Sequence, residues 1–354
     1  MALYSDACRF SQGELNGWKT LTLENELLRV TLLPEKGSDI IEFRYKPLDL
    51  EYLWKSPFGL PQKPNTDRLP HNGFMDYYEG GWEEIFPSGG EPNTYAGVEW
   101  GQHGELWSLP CEVSIDEYRP GQVTVHLECR MTKLPLRLNK TLFIRQNEPI
   151  LHIEETVTNE SDQPVEFMWG HHPAVGAPFM NGDCILDIPG NKCEGASVKD
   201  NPAARLGYRT QYDYPITTDK NGKPIDLSIV PPPSSKQSDE FWLSGLTEGW
   251  CALTDTKRKV GFGLAWDLSV FSSLWIWEEF GGTADEPWNN ECYVMGIEPW
   301  SSYALEGLAE AARRNTQLTL LAHGTKTSWL KAIAYEGTSR VARIDENGTV
   351  FPAG

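Results

Sequence analysis

The sequence predicts an all-β protein, a large antiparallel assembly with few short helices. Three observations lead there. Short runs that alternate apolar and polar residues begin at Trp18 and recur as far as Leu321. Turns rich in Gly, Pro and Asn separate these runs, and one segment alone reads as a good helix. With no internal repeat and no low-complexity tail, residues 1–354 are expected to form one domain.

Taken in order, the first strands are expected at Trp18–Leu23, Leu27–Leu33, Asp39–Tyr45 and Glu51–Trp54, as a meander. Residues 55–75 carry no period and read as a long surface loop, a length that is often functional. The stretch Tyr77–Gly90 places paired glycines on both sides of an aromatic and acidic run. Glycine pairs permit sharp turns and close approach of a ligand, which makes Glu83 and Glu84 candidates for a cleft; an ordinary hairpin edge is the alternative.

Further strands are expected at Cys111–Glu117, Gln122–Arg130, Arg137–Gln146 and Ile150–Asn159. The run Val165–Pro173 ends this series with two adjacent histidines before a proline. Residues 181–240 read as irregular excursions, with Pro231-Pro-Pro as the clearest breaker. Strands resume at Trp250–Asp255, Val260–Trp266, Ser273–Trp277, Cys292–Glu298 and Thr316–Leu321. The helix is placed at Ala304–Asn315, where high-propensity residues lead to basic ones in the last turn.

A formal charge of −19 repels phosphates, so neither nucleic acid nor an anionic membrane is an expected partner. A neutral or polar small molecule suits the chain better. No apolar run reaches the roughly 18 residues of a membrane span, and Met1–Ser11 lacks the basic-then-apolar order of a secretory signal, so a cytoplasmic location is expected. The seven cysteines are scattered without a Cys-x-x-Cys pair, which disfavours a disulfide framework or a zinc site. Cys111 and Cys129 are read as small buried hydrophobes. Fourteen Trp stand out, because aromatic faces combined with carboxylates suit the C–H-rich faces and hydroxyl edges of a sugar.

The chemistry is expected around Tyr293–Trp300, which delivers Glu298 directly before Pro299. Proline removes a donor, so the ladder should stop there and leave Glu298 at a strand end. His172 before Pro173 and His103 before Gly104 stand at comparable places. Adjacent strand residues point to opposite faces, so at most one of His171 and His172 enters a given pocket. A carboxylate and an imidazole, with ordinary pKa values of about 4.3 and 6.5, can take one proton while delivering another. That equipment performs isomerisation with no cofactor and no metal, and the chain has no phosphate loop, nucleophile elbow or His-Glu-x-x-His. Spacing leaves open whether residues 103, 172 and 298 converge.

The run Leu23–Ile40, the His103-Gly104 pair, Trp169-Gly-His-His-Pro173 and Gly296-Ile-Glu-Pro-Trp300 stand in the order seen in the aldose 1-epimerase, or galactose mutarotase-like, family. The chain resembles that family from about residue 18 to about residue 325. The resemblance implies a large twisted β-sandwich, or supersandwich, with a sugar cleft on a concave face. It also implies cofactor-free interconversion of the α and β anomers of a neutral aldose. Glu298 matches the family's general base, His172 its general acid, and His103 a histidine that holds and polarises the substrate; His171 is the adjacent competitor of His172.

The chain also departs from the family. An Arg often follows the His-Gly pair, whereas Glu105 follows here, and a carboxylate lining the cleft would repel an anionic sugar. The family's substrate-binding acid has three candidates around Trp275-Ile-Trp277, namely Asp285, Glu278 and Glu279, while Trp277 and Trp300 are candidates for stacking on the sugar. Two rival readings are a non-catalytic carbohydrate-binding protein and a polysaccharide-lyase-like enzyme on the same sandwich. The first has no need of an acid–base pair. The second usually needs positive charge or a metal to stabilise its anion.

Overall fold

The computed structural model describes residues 8–66, 69–70, 72–116, 119–196, 201–286 and 288–354. Two large antiparallel sheets pack on one apolar cluster, to which Leu23, Val30 and Phe43 contribute from the first sheet and Val125, Leu138, Leu151 and Leu330 from the second. Alternation explains the arrangement, since each strand sends every second side chain into this layer. The protein is therefore mostly β, as expected.

The first sheet carries the site. Its N-terminal meander runs Cys8–Leu15, Trp18–Asn25, Leu28–Leu33 and Asp39–Tyr45. Its centre is assembled from distant parts of the chain, in the order Trp82–Ile85, Gly170–Gly176, Tyr293–Trp300, Ser273–Phe280 and Gln237–Ser244. The run Trp82–Ile85 is thus a central strand and not a hairpin edge. The second sheet is ordered Cys184–Asp187, Trp250–Asp255, Val260–Trp266, Thr325–Glu336, Ile150–Asn159, Leu136–Arg145, Gln122–Arg130 and Glu112–Ile115.

Several expectations are corrected. Glu298 and His172 do not sit at strand ends: Tyr293–Trp300 continues through Pro299, and Gly170–Gly176 continues through Pro173. The φ that proline imposes is compatible with an extended strand, so each proline deletes one donor without shifting the register, which pairs Leu274 with Pro299 and Pro173 with Trp82. The helix is shorter than expected, Leu308–Arg314, because Gly307 at φ 87° and Asn315 at φ 57° both leave helical geometry. Residues 181–240 are not merely irregular, since they contain Cys184–Asp187, Lys192–Gly195 and the start of Gln237–Ser244. Parts of the expected loop 55–75, of the strand Cys111–Glu117 and of the 181–240 stretch lie outside the described residues.

Cys111 and Cys129 are not separate small hydrophobes but a disulfide. The register between Glu112–Ile115 and Gln122–Arg130 pairs Glu112 with Glu128, so one step further Cys111 falls opposite Cys129, with Cα atoms 4.5 Å apart. Directly opposed antiparallel residues reach that separation without backbone movement. The other five cysteines are free and buried.

Candidate active site

The central strands of the first sheet bring His172 and Glu298 together by register. The pairs Gly170 with Trp300 and Ala174 with Gly296 put His172 opposite Glu298, and on the other flank His172 is paired with Glu83. Three strands therefore carry Glu83, His172 and Glu298 in a row on one face. Their side chains meet: His172 Nδ1 is 3.5 Å from Glu83 Oε2, and His172 Nε2 is 3.3 Å from Glu298 Oε1. All three are buried.

Glu298 is held from two sides. Its Oε2 accepts a hydrogen bond from Trp300 Nε1 at 3.0 Å. Its Oε1 lies over Gly296, where an added Cβ would come within 2.4 Å, so glycine leaves room for the carboxylate. Trp300 in turn is fully buried, stacked at 4.5 Å on Trp275, with Gly89 and Gly170 against its ring. It is a support for Glu298 and not a sugar platform.

His172 and Glu298 form the floor of a cleft of about 300 Å³ lined by Phe74, Tyr78, His103, Glu240, Trp277 and Trp288 among others. His103 stands in a turn at φ 59°, its ring 5.5 Å from that of His172 and 4.5 Å from that of Phe74. Trp277 faces His172 with ring centroids 5.6 Å apart. No lysine or arginine lines the cleft among the described residues. A larger, open groove of about 850 Å³ lies on the outer face of the second sheet, over Phe143, His152 and Trp329. Its histidine is already engaged by Glu148 at 3.0 Å, and the convergent acid–base groups are in the smaller cleft.

Burial dominates the electrostatics, because removing water penalises whichever form is charged. It pushes Glu298 well above the ordinary carboxylate range, against the Trp300 hydrogen bond, which lowers it. It pushes His172 down to about 4 and His103 well below its usual value. Glu240 is raised to about 8, first by burial and then by the Glu91 and Glu306 carboxylates.

The other anticipated residues lie elsewhere. His171 points to the opposite face, where its Nδ1 accepts from Trp82 Nε1 at 3.2 Å and its Nε2 faces Glu155 at 3.0 Å. Glu84, paired with His171 in register, joins this buried network between the sheets through Lys140 at 2.7 Å. Glu105 is turned inward, accepting from the backbone N–H groups of Thr132 and Lys133 at 3.1 Å. Glu278 binds Arg205, and Glu279 accepts from the backbone of Gly282 and Thr283. Asp285 is exposed and caps a turn with its carbonyl. None of these six lines the cleft.

Glu240 and Tyr78 are among the lining residues that were not foreseen. Glu240 stands on Gln237–Ser244 opposite Trp277, in a strand that begins just after the proline-rich stretch. Tyr78 buries a hydroxyl that has no hydrogen-bond partner and sets its ring 5.9 Å from that of His172. The alternation of Trp277 with Glu279 would not have pointed to Glu240, but the aromatic run Tyr77-Tyr78 beside Glu83 was a usable signal.

Among the described residues, two clusters have the donor types of metal sites, Asp39 with Glu79 and Glu83, and Glu84 with Glu155 and His171. Both already hold an internal cation. Lys36 Nζ lies 2.5 Å from Asp39 Oδ2 and 2.8 Å from Glu79 Oε2, and Lys140 Nζ lies 2.7 Å from Glu84 Oε2 and 3.7 Å from Glu155 Oε1.

Residues 15–333 match the model of a family described as a domain of unknown function, DUF4432. No curated protein matches the chain. Among solved structures, a candidate aldose 1-epimerase from Klebsiella pneumoniae superposes with a TM-score of 0.69 at 16% identity, over 94% of this chain and 85% of that one. A galactose mutarotase-like protein from Lactobacillus casei gives 0.60 at 16% identity, over 89% and 100%. One from Clostridium acetobutylicum gives 0.61 at 13% identity, over 94% and 100%. At such identities the likeness shows the fold, which is galactose mutarotase-like.

Proposed function

The chain belongs to the DUF4432 family and has a galactose mutarotase-like fold, and on that footing we propose that it is a cofactor-independent aldose 1-epimerase acting on a neutral sugar. The observation that carries this reading is the juxtaposition of His172 Nε2 and Glu298 Oε1, 3.3 Å apart at the floor of an aromatic cleft. Binding a sugar needs hydroxyl partners and aromatic faces; it does not need a buried acid beside a buried base.

In this reading Glu298 takes the proton of the anomeric hydroxyl. The C1–O1 bond becomes a carbonyl, the C1–O5 bond breaks, and O5 receives a proton from His172. Rotation about C1–C2 presents the other face of the carbonyl, and the steps reverse to give the opposite anomer. Burial raises the basicity of Glu298, which favours proton removal, and the Trp300 N–H keeps the carboxylate oriented. In the same reading His103 holds and polarises the sugar, Trp277 covers its C–H face, and Glu240 accepts from its hydroxyls.

A neutral substrate follows from the lining. Carboxylates and imidazoles without a lysine or arginine among the described lining residues offer an anionic sugar nothing to pair with. The same feature removes support from a lyase acting beside a uronate carboxylate. Polarimetry on freshly dissolved α-D-glucose, α-D-galactose and other neutral aldoses tests the proposal; acceleration of the approach to anomeric equilibrium is expected for at least one of them. Absence of acceleration across the panel by folded protein would turn the reading toward carbohydrate binding without turnover.

A further inference from the structure

The proposed mechanism leaves a proton unaccounted for. His172 is a neutral imidazole in its buried setting, and a neutral imidazole that gives up its Nε2 proton would be left as an imidazolate. A second proton must arrive at Nδ1 as the first one leaves Nε2. The carboxyl group that the structure places against Nδ1 is Glu83, with Oε2 at 3.5 Å.

The surroundings of Glu83 decide its protonation. Asp39, Glu79 and Glu83 place carboxylate oxygens within 4.8 Å of one another, and all three side chains are buried. One ammonium, Lys36, serves them. It contacts Asp39 at 2.5 Å and Glu79 at 2.8 Å, and makes no such contact with Glu83. Neither oxygen of Glu83 receives a hydrogen bond from another residue, and the Tyr78 hydroxyl has no partner. A bare carboxylate in that position would be a buried charge with no donor, beside two like charges. The neutral acid removes this conflict and leaves an O–H for which Nδ1 is the acceptor within reach. Nδ1 is likewise buried without a partner.

We infer that Glu83 is a positioning residue held as a carboxylic acid, which donates to His172 Nδ1 and passes its proton there as His172 Nε2 protonates the sugar ring oxygen. The inference rests on the epimerase reading. In the forward step the Nε2–H bond breaks as O5–H forms, and the Glu83 O–H breaks as Nδ1–H forms. Glu83 ends as a carboxylate near Lys36, and ring closure returns both protons. In the resting protein the same arrangement leaves Nε2–H pointing at Glu298 Oε1, which, with Trp300 Nε1–H on Oε2, gives Glu298 a donor at each oxygen. Burial, followed by the Asp39 carboxylate, acts in the same direction by pushing Glu83 well above the ordinary range.

The test uses the whole protein with ¹⁵N-labelled histidine, the His172 signals being identified by their loss in His172→Asn. The expected result is the Nε2–H tautomer, with Nδ1 as an acceptor. An Nδ1–H tautomer, donating to an ionised Glu83, would overturn the inference. Glu83→Gln can donate to Nδ1 but cannot release a proton, so it should keep the tautomer, lower kcat by about a hundredfold and leave KM within about threefold. An unchanged kcat, or a raised KM at full kcat, would overturn it as well, the latter placing Glu83 on the substrate. The tautomer is read without turnover, so it decides the point even where Glu83→Gln does not fold. A correct tautomer in a protein that epimerises no sugar would support the state assigned to Glu83 and overturn the epimerase reading alone.

Discussion

His172 Nε2 lies 3.3 Å from Glu298 Oε1, and the two residues stand opposite each other on neighbouring strands of one sheet. Rigid strands fix this distance; no loop has to close to create it. Glu298→Gln keeps the shape and the hydrogen bond to Trp300 but removes the base, and His172→Asn removes the acid. Each is expected to lower kcat by at least about a hundredfold, with the far-ultraviolet circular dichroism unchanged. His171→Asn, on the opposite face, should leave kcat within a few-fold while lowering the melting temperature, because it strips partners from Trp82 and Glu155.

Gly296 sets where the Glu298 carboxylate rests. A methyl group at this position would come within 2.4 Å of Oε1 and displace it from His172. Gly296→Ala should therefore cost roughly tenfold to a hundredfold in kcat, an effect of misplacing a reacting group by a fraction of an ångström to an ångström. A crystal structure of the variant with the carboxylate unmoved and kcat unchanged would remove this role.

The acid limb of the rate profile should report Glu298. Turnover needs its carboxylate ionised, so activity falls as pH drops through its pKa, which burial places above the ordinary carboxylate range. Trp300→Phe deletes a hydrogen bond that lowers that pKa, so the acid limb should move to higher pH. Kinetics of kcat/KM from about pH 4 to 9 in both proteins measure this. A limb that stays in place, or moves to lower pH, would contradict it.

The Cys111–Cys129 bridge closes a segment with a sequence separation of 18, and neither cysteine lines the cleft. Replacing both with Ser is expected to lower the free energy of unfolding by about 3 kcal/mol, from the loop-closure entropy of a ring of that size. Anomerisation activity in the folded variant should be unchanged. Denaturant unfolding of both proteins, with and without reductant, checks the magnitude.

Much of this was legible from residue patterns because apolar residues mark the strands. Gln122–Arg130 and Ile150–Asn159, whose exposure varies along the strand, and Trp250–Asp255 and Val260–Trp266, which are buried throughout, fall where those runs put them. The opposite faces of His171 and His172 also come from the period of two. Glu83 and Glu84 obey the same period, so the pairing that puts His172 beside Glu83 puts His171 beside Glu84. Register between distant strands is not a local property, and without it Glu83 and Glu84 were equal candidates for the cleft. Glu240 was hidden because its strand starts close to Pro231-Pro-Pro, a signal that rightly marks a break but carries no information about the strand beyond it. Trp300 looked like a sugar platform because its ring shares the face of Glu298; only the approach of Gly89 and Gly170 shows that it is enclosed. The disulfide was missed since the two cysteines oppose each other only once the hairpin register is known.

The central claim is that Glu298 and His172 open a sugar ring by acid–base transfer. Saturation transfer between the two anomeric C1 protons of a neutral aldose at equilibrium measures this directly, with wild type beside Glu298→Gln. The account predicts exchange well above the buffer rate with wild type and exchange at the buffer rate with Glu298→Gln. Equal acceleration by both proteins, or none by a wild type shown to bind the sugar, would contradict it.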